Sequence, residues 1–201
     1  MDNLTEQTPS LNPWLTIWTR PRATIRQIVD SDPKRLVLIL AMGGGIAGTL
    51  ERSAKKSLGD QVPSQYLPGV ILMGGALVGV LSLYLFGLIF RWTGRWLGGK
   101  ADSVQVRAAL AWSSVPIILA LPLWIPLIAL AGENLFKSGQ PSRGLGPPQA
   151  IATTALGGIL TVVYIWSYFT AVKTLAEVHQ FSAWKALATS SESIINSLMS
   201  S

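Results

Sequence analysis

Side chains that could carry out chemistry are scarce in this sequence. It contains no cysteine and a single histidine, His179, which excludes disulfides, thiolate nucleophiles, iron–sulfur clusters and cysteine-ligated zinc. One imidazole is too few for a typical histidine metal site, and we predict that His179 is a surface residue just beyond the last apolar tract. The composition therefore predicts no bound metal and no other cofactor.

Ionisable side chains are absent from the four long apolar tracts of the chain. Glu133, Lys173 and Glu177 lie only at the edges of these tracts, whereas a proton relay or an intramembrane hydrolase needs such groups at membrane depth. The glycine run at 43–45 is followed by no Lys-Ser/Thr pair and is not a phosphate-binding loop. We therefore predict that the protein is not an enzyme.

The elements that would position any site are predicted to be membrane helices. Only 13% of the residues are charged, where about 25% is usual for a soluble domain. Charge-free tracts at 67–90, 108–132 and 150–172 each match the roughly 17 to 25 residues that cross a bilayer. A shorter tract at 36–50 is predicted to be a further span that flanking Lys and Arg side chains extend, with a re-entrant segment as the alternative.

The predicted fold class is all-α: a polytopic membrane helix bundle with four transmembrane helices and interfacial amphipathic helices at both ends. A fifth transmembrane helix is the alternative. We divide the chain into a cytoplasmic interfacial segment at 1–35, a four-span transmembrane domain at 36–172 and a C-terminal amphipathic segment at 173–201.

Lys and Arg are distributed unevenly between the two sides of these spans. Eleven of the 16 fall before the first span, between the second and third, or after the fourth, and the other five fall in the remaining two loops. Cytoplasmic loops carry the excess of Lys and Arg in membrane proteins. We therefore expect both termini to be cytoplasmic.

Two short segments combine tryptophan with arginine next to the predicted spans. We predict that they contact the membrane interface or a partner protein, and their residues are Trp14, Trp18, Arg20, Arg22 and Arg26, then Arg91, Trp92, Arg95 and Trp96. In the first segment, the apolar face of Trp14, Ile17 and Trp18 is predicted to lie in the membrane surface. Aromatic residues directly beside a span are typical of an interface belt, so we predict no nucleic-acid partner.

Glycines and prolines predict how the spans pack. Gly44 with Gly48 in the first span, and Gly75 with Gly79 in the second, form small faces that allow close helix contact within one chain or between two copies, so a homo-oligomer stays open. Pro116, Pro122 and Pro126 in the third span predict kinks. The kinks indicate either a bent packing helix or a cavity or hinge.

The segment at 182–199 places apolar residues at helical spacing around the polar run 190–193. A charge such as Glu192 costs about 2.5 to 3.5 kcal/mol at the bilayer centre, whereas each large apolar residue returns only about 0.3 to 0.6 kcal/mol. We therefore predict a surface helix and a cytoplasmic C-terminus, with a fifth span as the alternative.

Six short motifs in order along the chain point to a family. They are NPW at 12–14, WTRPRATIR at 18–26, LGGK at 97–100, VQV at 104–106, AWSSVP at 111–116 and VHQFSAWKAL at 178–187. Together they resemble the Yip1 domain family of small multispan membrane proteins. The resemblance implies a prokaryotic member, since the chain lacks the long N-terminal extension of the eukaryotic proteins that are associated with Rab GTPases. It also implies five spans, no catalytic residues and, for some prokaryotic members, assistance to an ABC exporter.

Two functions of different class follow from these features. The first is an integral scaffold or accessory protein of the cell membrane, which binds lipids and another membrane or peripheral protein through its aromatic and basic segments. The second is a small-molecule transporter or channel subunit, whose path would follow the kinked third span and the glycine-rich first and second spans. A polar cavity at the middle of the membrane would favour the second function.

Overall fold

The computed structural model describes residues 12–180, and these residues form an all-α structure without strands. The predicted all-α fold class is therefore confirmed. The main helices are α1 (Pro13–Thr19), α2 (Pro21–Ser31), α3 (Val37–Lys55), α4 (Leu67–Trp96), α5 (Ser103–Phe136) and α6 (Pro147–Val178). The predicted C-terminal helix at 182–199 lies outside the described residues.

Local sequence explains where several helices begin. The Asn12 side chain accepts a hydrogen bond from the Trp14 amide at 3.1 Å, and a proline occupies the first position of α1. Asp102 caps α5 by accepting from the amides of Val104 and Gln105, both at 2.8 Å, and the Asp102 amide in turn donates to the Gln105 side-chain oxygen at 3.1 Å. This reciprocal capping box fixes the start of α5.

Three helices are long and apolar enough to cross a membrane: α4 with 30 residues, α5 with 34 and α6 with 32. Helix α3 has 19 residues and ends in a polar turn that contains Glu51 and Arg52. It is not among the helices that are long and apolar enough to cross a membrane. The fourth predicted span at 36–50 therefore stays a prediction, as do the proposed boundaries at 35 and 172.

The bundle exposes large apolar side chains and buries small polar side chains beside its apolar core. Leu77, Leu81 and Val162 are more than 60% exposed. By contrast, α6 buries Thr153, Ser167, Thr170 and Thr174. A soluble bundle shows the reverse pattern, so this surface is suited to a lipid environment.

Buried apolar residues form two clusters at opposite ends of the bundle. The first cluster joins α1 and α2 to the start of α3, the middle of α4, the first half of α5 and the end of α6. We call this the basic end, because Arg22, Arg26, Arg95 and Lys100 lie exposed around it. The second cluster joins the end of α3, the start of α4, the second half of α5 and the first half of α6, and marks the opposite end.

Candidate functional site

Helices α1 and α2 pack against the bundle at the basic end. Ile17, Thr24 and Ile25 are fully buried there. The Trp14 ring meets the Trp112 ring of α5 edge to face, with 5.6 Å between the ring centroids. The apolar face predicted to lie in the membrane surface thus packs on the bundle, with Ile17 fully buried and Trp14 and Trp18 partly buried. Contact of these tryptophans with the membrane interface or a partner stays a prediction.

Polar contacts fix the same two helices to α6. The Trp166 ring nitrogen donates to the Trp18 carbonyl oxygen at 3.0 Å. Arg26 forms an ion pair with Glu177, while Arg20 and Arg22 remain exposed. Of the first predicted segment, the two tryptophans and Arg26 therefore serve intramolecular contacts, and Arg20 and Arg22 face outwards.

The second predicted segment forms the last turns of α4, and most of it is exposed. Trp92 and Trp96 are 60% and 76% exposed, and their ring centroids lie 4.7 Å apart. Leu97, the next residue, is 74% exposed, and Arg95 is also exposed. Arg91 is partly buried beneath them. We call the set Trp92, Arg95, Trp96 and Leu97 the tryptophan surface.

His179 is buried below the tryptophan surface, so the prediction of a surface histidine was wrong. Only 3% of it is exposed. Its ring fills space left by two glycines, since a Cβ on Gly94 or Gly99 would overlap the imidazole. The Lys100 amide also donates to the His179 carbonyl oxygen at 3.3 Å. Burial lowers the pKa of His179, because the charged imidazolium loses its hydration.

The predicted small-residue contact between α3 and α4 forms in a different register. Gly75 and Gly79 of α4 pack on Ala41 and Gly45 of α3 so closely that a Cβ on Gly45 would overlap the Gly75 carbonyl oxygen. Gly44 instead faces Ser114 of α5, where an added Cβ would lie 2.8 Å from the serine Cβ. A Cβ on Gly48 would meet only the Arg52 side chain. Four-residue spacing predicted close packing, but not which of three adjacent glycines provides it.

The hydrogen-bonded pattern of α5 is interrupted near two of its three prolines. Its regular segments end at Ser113 and at Leu119, and Pro122 lies in a 3₁₀ turn at Leu121–Leu123. Pro126 lies in the following segment, Trp124–Ala131. At the first interruption the Ser113 carbonyl oxygen accepts from the Ser167 hydroxyl at 2.6 Å. A hydroxyl of α6 therefore satisfies a carbonyl at the break.

A groove lies between α4 and α6, with α3 and α5 as its floor. Its volume is about 450 Å³. The floor is made of small and hydroxyl-bearing residues, among them Gly44, Gly48, Ser113 and Ser114. Ser82 and Tyr168 stand on the two walls. We call this the α4–α6 groove.

Arg107 is a residue whose position sequence reasoning missed. The predicted third span at 108–132 leaves Arg107 just outside the helix, but it lies in α5 and its guanidinium carbon is 5.1 Å from the centre of the Tyr84 ring on α4. The signal that could have located it is the Asp102 capping box, which starts the helix before the charge-free tract begins.

The described ranges contain no group of three His, Cys, Asp or Glu side chains that could hold a metal ion. The polar side chains buried on α6 are hydroxyls, and several bond to backbone carbonyls, as Thr174 does to Ala109 at 3.3 Å. The basic end therefore presents an exposed surface of aromatic and cationic side chains.

The comparisons with known proteins point to one family. The family model described as the Yip1 domain matches residues 15–195, which is most of the chain. Searches of curated proteins and of solved structures give no significant match.

Proposed function

This chain belongs to the Yip1 domain family and is a membrane protein of that type, and from that premise we propose that it is a non-enzymatic scaffold or accessory protein. It binds another membrane or peripheral protein through the tryptophan surface. The partner suggested by the family resemblance is a transport machine such as an ABC exporter. The basic end faces the cytoplasm in this proposal, since Lys and Arg are concentrated there.

The observation that carries the proposal is the exposure of Trp92 and Trp96 at the end of a long helix. At about 1.5 Å per residue, the 30 residues of α4 extend over about 45 Å, which is the full thickness of a bilayer with its headgroups. Trp96 therefore stands at the boundary with water, within reach of a peripheral protein. Exposed Trp and Arg side chains are enriched among the residues that dominate binding energy at protein interfaces.

Crosslinking from single cysteines tests this role, because the chain has no cysteine of its own. Trp96→Cys carrying a photo-crosslinker is expected to capture a discrete protein in native membranes. Leu77→Cys is the matched control, since Leu77 is on the same helix and is 66% exposed among apolar residues. Capture of lipid alone from both positions would show that the tryptophan surface is only an interface belt, and a product of twice the mass would identify a second copy as the partner.

The same cysteines test the orientation. An impermeant thiol reagent is expected to label Trp96→Cys only after cell lysis and to label Gln140→Cys, in the loop between α5 and α6, in intact cells. Ser201→Cys extends the test to the predicted cytoplasmic C-terminus. The opposite labelling pattern at positions 96 and 140 would place the basic end outside the cytoplasm.

A transporter or channel subunit is the second candidate, and the α4–α6 groove favours it. Its serine hydroxyls lie beside glycines in the middle of α3 and α4, where a substrate could approach the backbone closely. Flux of small solutes into proteoliposomes tests the idea. This candidate is supported if the unsubstituted protein shows flux that Gly48→Leu abolishes and Gly157→Leu leaves intact. It is rejected if the unsubstituted protein shows no flux.

A further inference from the structure

Arg107 brings a positive charge against the membrane-facing middle of α4. It is the fifth residue of α5, and its side-chain stem crosses Gly87, where an added Cβ would lie 2.9 Å from the arginine Cγ. Its guanidinium stands over the Tyr84 ring. Tyr84 and Gly87 both belong to the charge-free tract at 67–90. A charge at this depth is costly unless an opposite charge balances it.

The described residues supply no carboxylate to Arg107. Their three ion pairs are Arg26 with Glu177, Lys55 with Glu51 and Lys137 with Glu133. Asp102, five residues before Arg107, and Asp32, two residues before the nearby Lys34, are each engaged by backbone amides. Asp102 accepts from Val104 and Gln105 at the start of α5, and Asp32 accepts from the Lys34 amide at 3.1 Å.

A second cation lies beside Arg107 in a small cavity. The cavity has a volume of about 250 Å³ and opens between the start of α3, the middle of α4 and the start of α5. Lys34 and Arg107 are its charged residues, and Leu38, Leu83, Tyr84 and Val104 form its apolar walls. Leu38 and Tyr84 are each half exposed on the lipid-facing surface. We call this cavity the basic notch.

We propose that the basic notch binds the phosphate of an anionic phospholipid from the leaflet at the basic end. Two cations and no carboxylate line it, so its charge is complementary to a phosphate, and a guanidinium can donate two parallel hydrogen bonds to phosphate oxygens. The apolar walls continue onto Leu38 and Tyr84, along which an acyl chain can lie. Basic pockets between transmembrane helices bind anionic lipid headgroups in this way.

Lipid retention by the full-length protein tests the proposal. The protein is reconstituted in nanodiscs of phosphatidylcholine with phosphatidylglycerol, extracted in mild detergent and examined by native mass spectrometry. We expect one phosphatidylglycerol to be retained in preference to phosphatidylcholine. Arg107→Gln and Lys34→Gln are each expected to weaken retention about five-fold, which corresponds to the loss of one cation near an anionic headgroup.

Arg95→Gln is the matched control, because Arg95 is exposed at the same end but does not line the basic notch. It is expected to retain lipid as the unsubstituted protein does. Circular dichroism and elution volume show whether each variant folds. If Arg107→Gln does not fold, Lys34→Gln decides the result, because Lys34 lies in an exposed loop before α3. Equal retention in Lys34→Gln and Arg95→Gln would overturn the proposal. Displacement of the lipid by inorganic phosphate alone would also overturn it, since the ligand would then be free phosphate.

Discussion

At the basic end, helices α1 and α2 cover the bundle and bury Ile17, Ile25 and Trp112 in one cluster. At the opposite end, α3, α4 and α5 leave an apolar groove of about 580 Å³ open between Leu67 and Trp124. The first end is covered by two additional helices, whereas the second leaves its apolar walls exposed. Helix packing is therefore denser at the end that carries the exposed tryptophans and the basic notch.

The polar contacts differ between the ends as well. At the basic end they join elements distant in sequence, such as Trp166 with Trp18 and Arg26 with Glu177. At the opposite end, two ion pairs join residues only four apart, and a long-range polar contact links two loops, where the Ser138 amide and hydroxyl donate to the Asp60 carboxylate. Long-range contacts constrain the fold, whereas local pairs stabilise it only slightly.

The largest loss of stability is expected from a substitution at the α3–α4 contact, because α3 and α4 contribute to the buried clusters at both ends. Gly79→Ala places a Cβ against the Ala41 carbonyl oxygen, and backbone cannot move aside as a side chain can. We expect a loss of about 3 kcal/mol or more in the free energy of unfolding. Gly157→Ala is the control, because its Cβ meets nothing within 4 Å. Denaturant unfolding in detergent measures both, and equal stability of the two variants would contradict the packing described.

The second largest loss of stability is expected from removing a buried isoleucine at the basic end, and an isoleucine at the opposite end provides the comparison. Ile25 at the basic end is fully buried, whereas Ile125 beside the opposite groove is 71% exposed. Ile25→Ala is expected to cost about 2 to 5 kcal/mol because it leaves a cavity. Ile125→Ala should cost no more than about 0.5 kcal/mol in a micelle. A similar loss in both variants would mean that α1 and α2 do not close the basic end.

The third effect depends on pH and belongs to His179. Its pKa is lowered by burial, so the unfolded chain binds the proton more tightly than the folded protein. The stabilising contribution is complete above the unfolded pKa of about 6.5 and is lost as the pH falls to below the lowered pKa. One proton allows a slope of at most about 1.4 kcal/mol per pH unit. Unfolding midpoints measured between pH 7 and pH 5 should show this loss, and His179→Gln should remove it.

The smallest effect is expected from the ion pair of Arg26 and Glu177. The two side chains are 70% and 16% exposed, so water screens the attraction. A double-mutant cycle with Arg26→Ala and Glu177→Ala should give a coupling of about 0.2 to 1 kcal/mol. The pair of Lys137 and Glu133 at the opposite end is the comparison, and its coupling should be smaller still because both side chains are well exposed. A larger coupling energy for Lys137 and Glu133 than for Arg26 and Glu177 would contradict this expectation.

Much of the helical framework follows from the sequence alone. The tracts at 67–90, 108–132 and 150–172 lie inside α4, α5 and α6, because crossing a bilayer demands long charge-free stretches and the backbone must bond internally. The starts of α1 and α5 follow from caps that are local in sequence. Helix caps depend on a few neighbouring residues, and membrane-spanning tracts depend on local composition. Both can therefore be recognised in a single sequence.

The surroundings of particular side chains do not follow from the sequence. The face of Trp14 and Ile17 has the same pattern whether it meets lipid or protein, so the pattern cannot choose between them. His179 is buried by Gly94 and Gly99, which lie far away in sequence. The position of Arg107 is a further example. Its side-chain stem packs against Gly87 of α4, so this positive charge lies within α5 and does not mark the helix boundary.

The placement of His179 between Gly94 and Gly99 has a mechanical consequence. Trp96 lies on the short stretch between these two glycines, and the imidazole of His179, the residue that follows α6, occupies the space beside both of them. The end of α4 and the end of α6 therefore share one side chain as a packing spacer. A larger residue at either glycine would push the two helix ends apart, and the exposed Trp96 would be displaced with them.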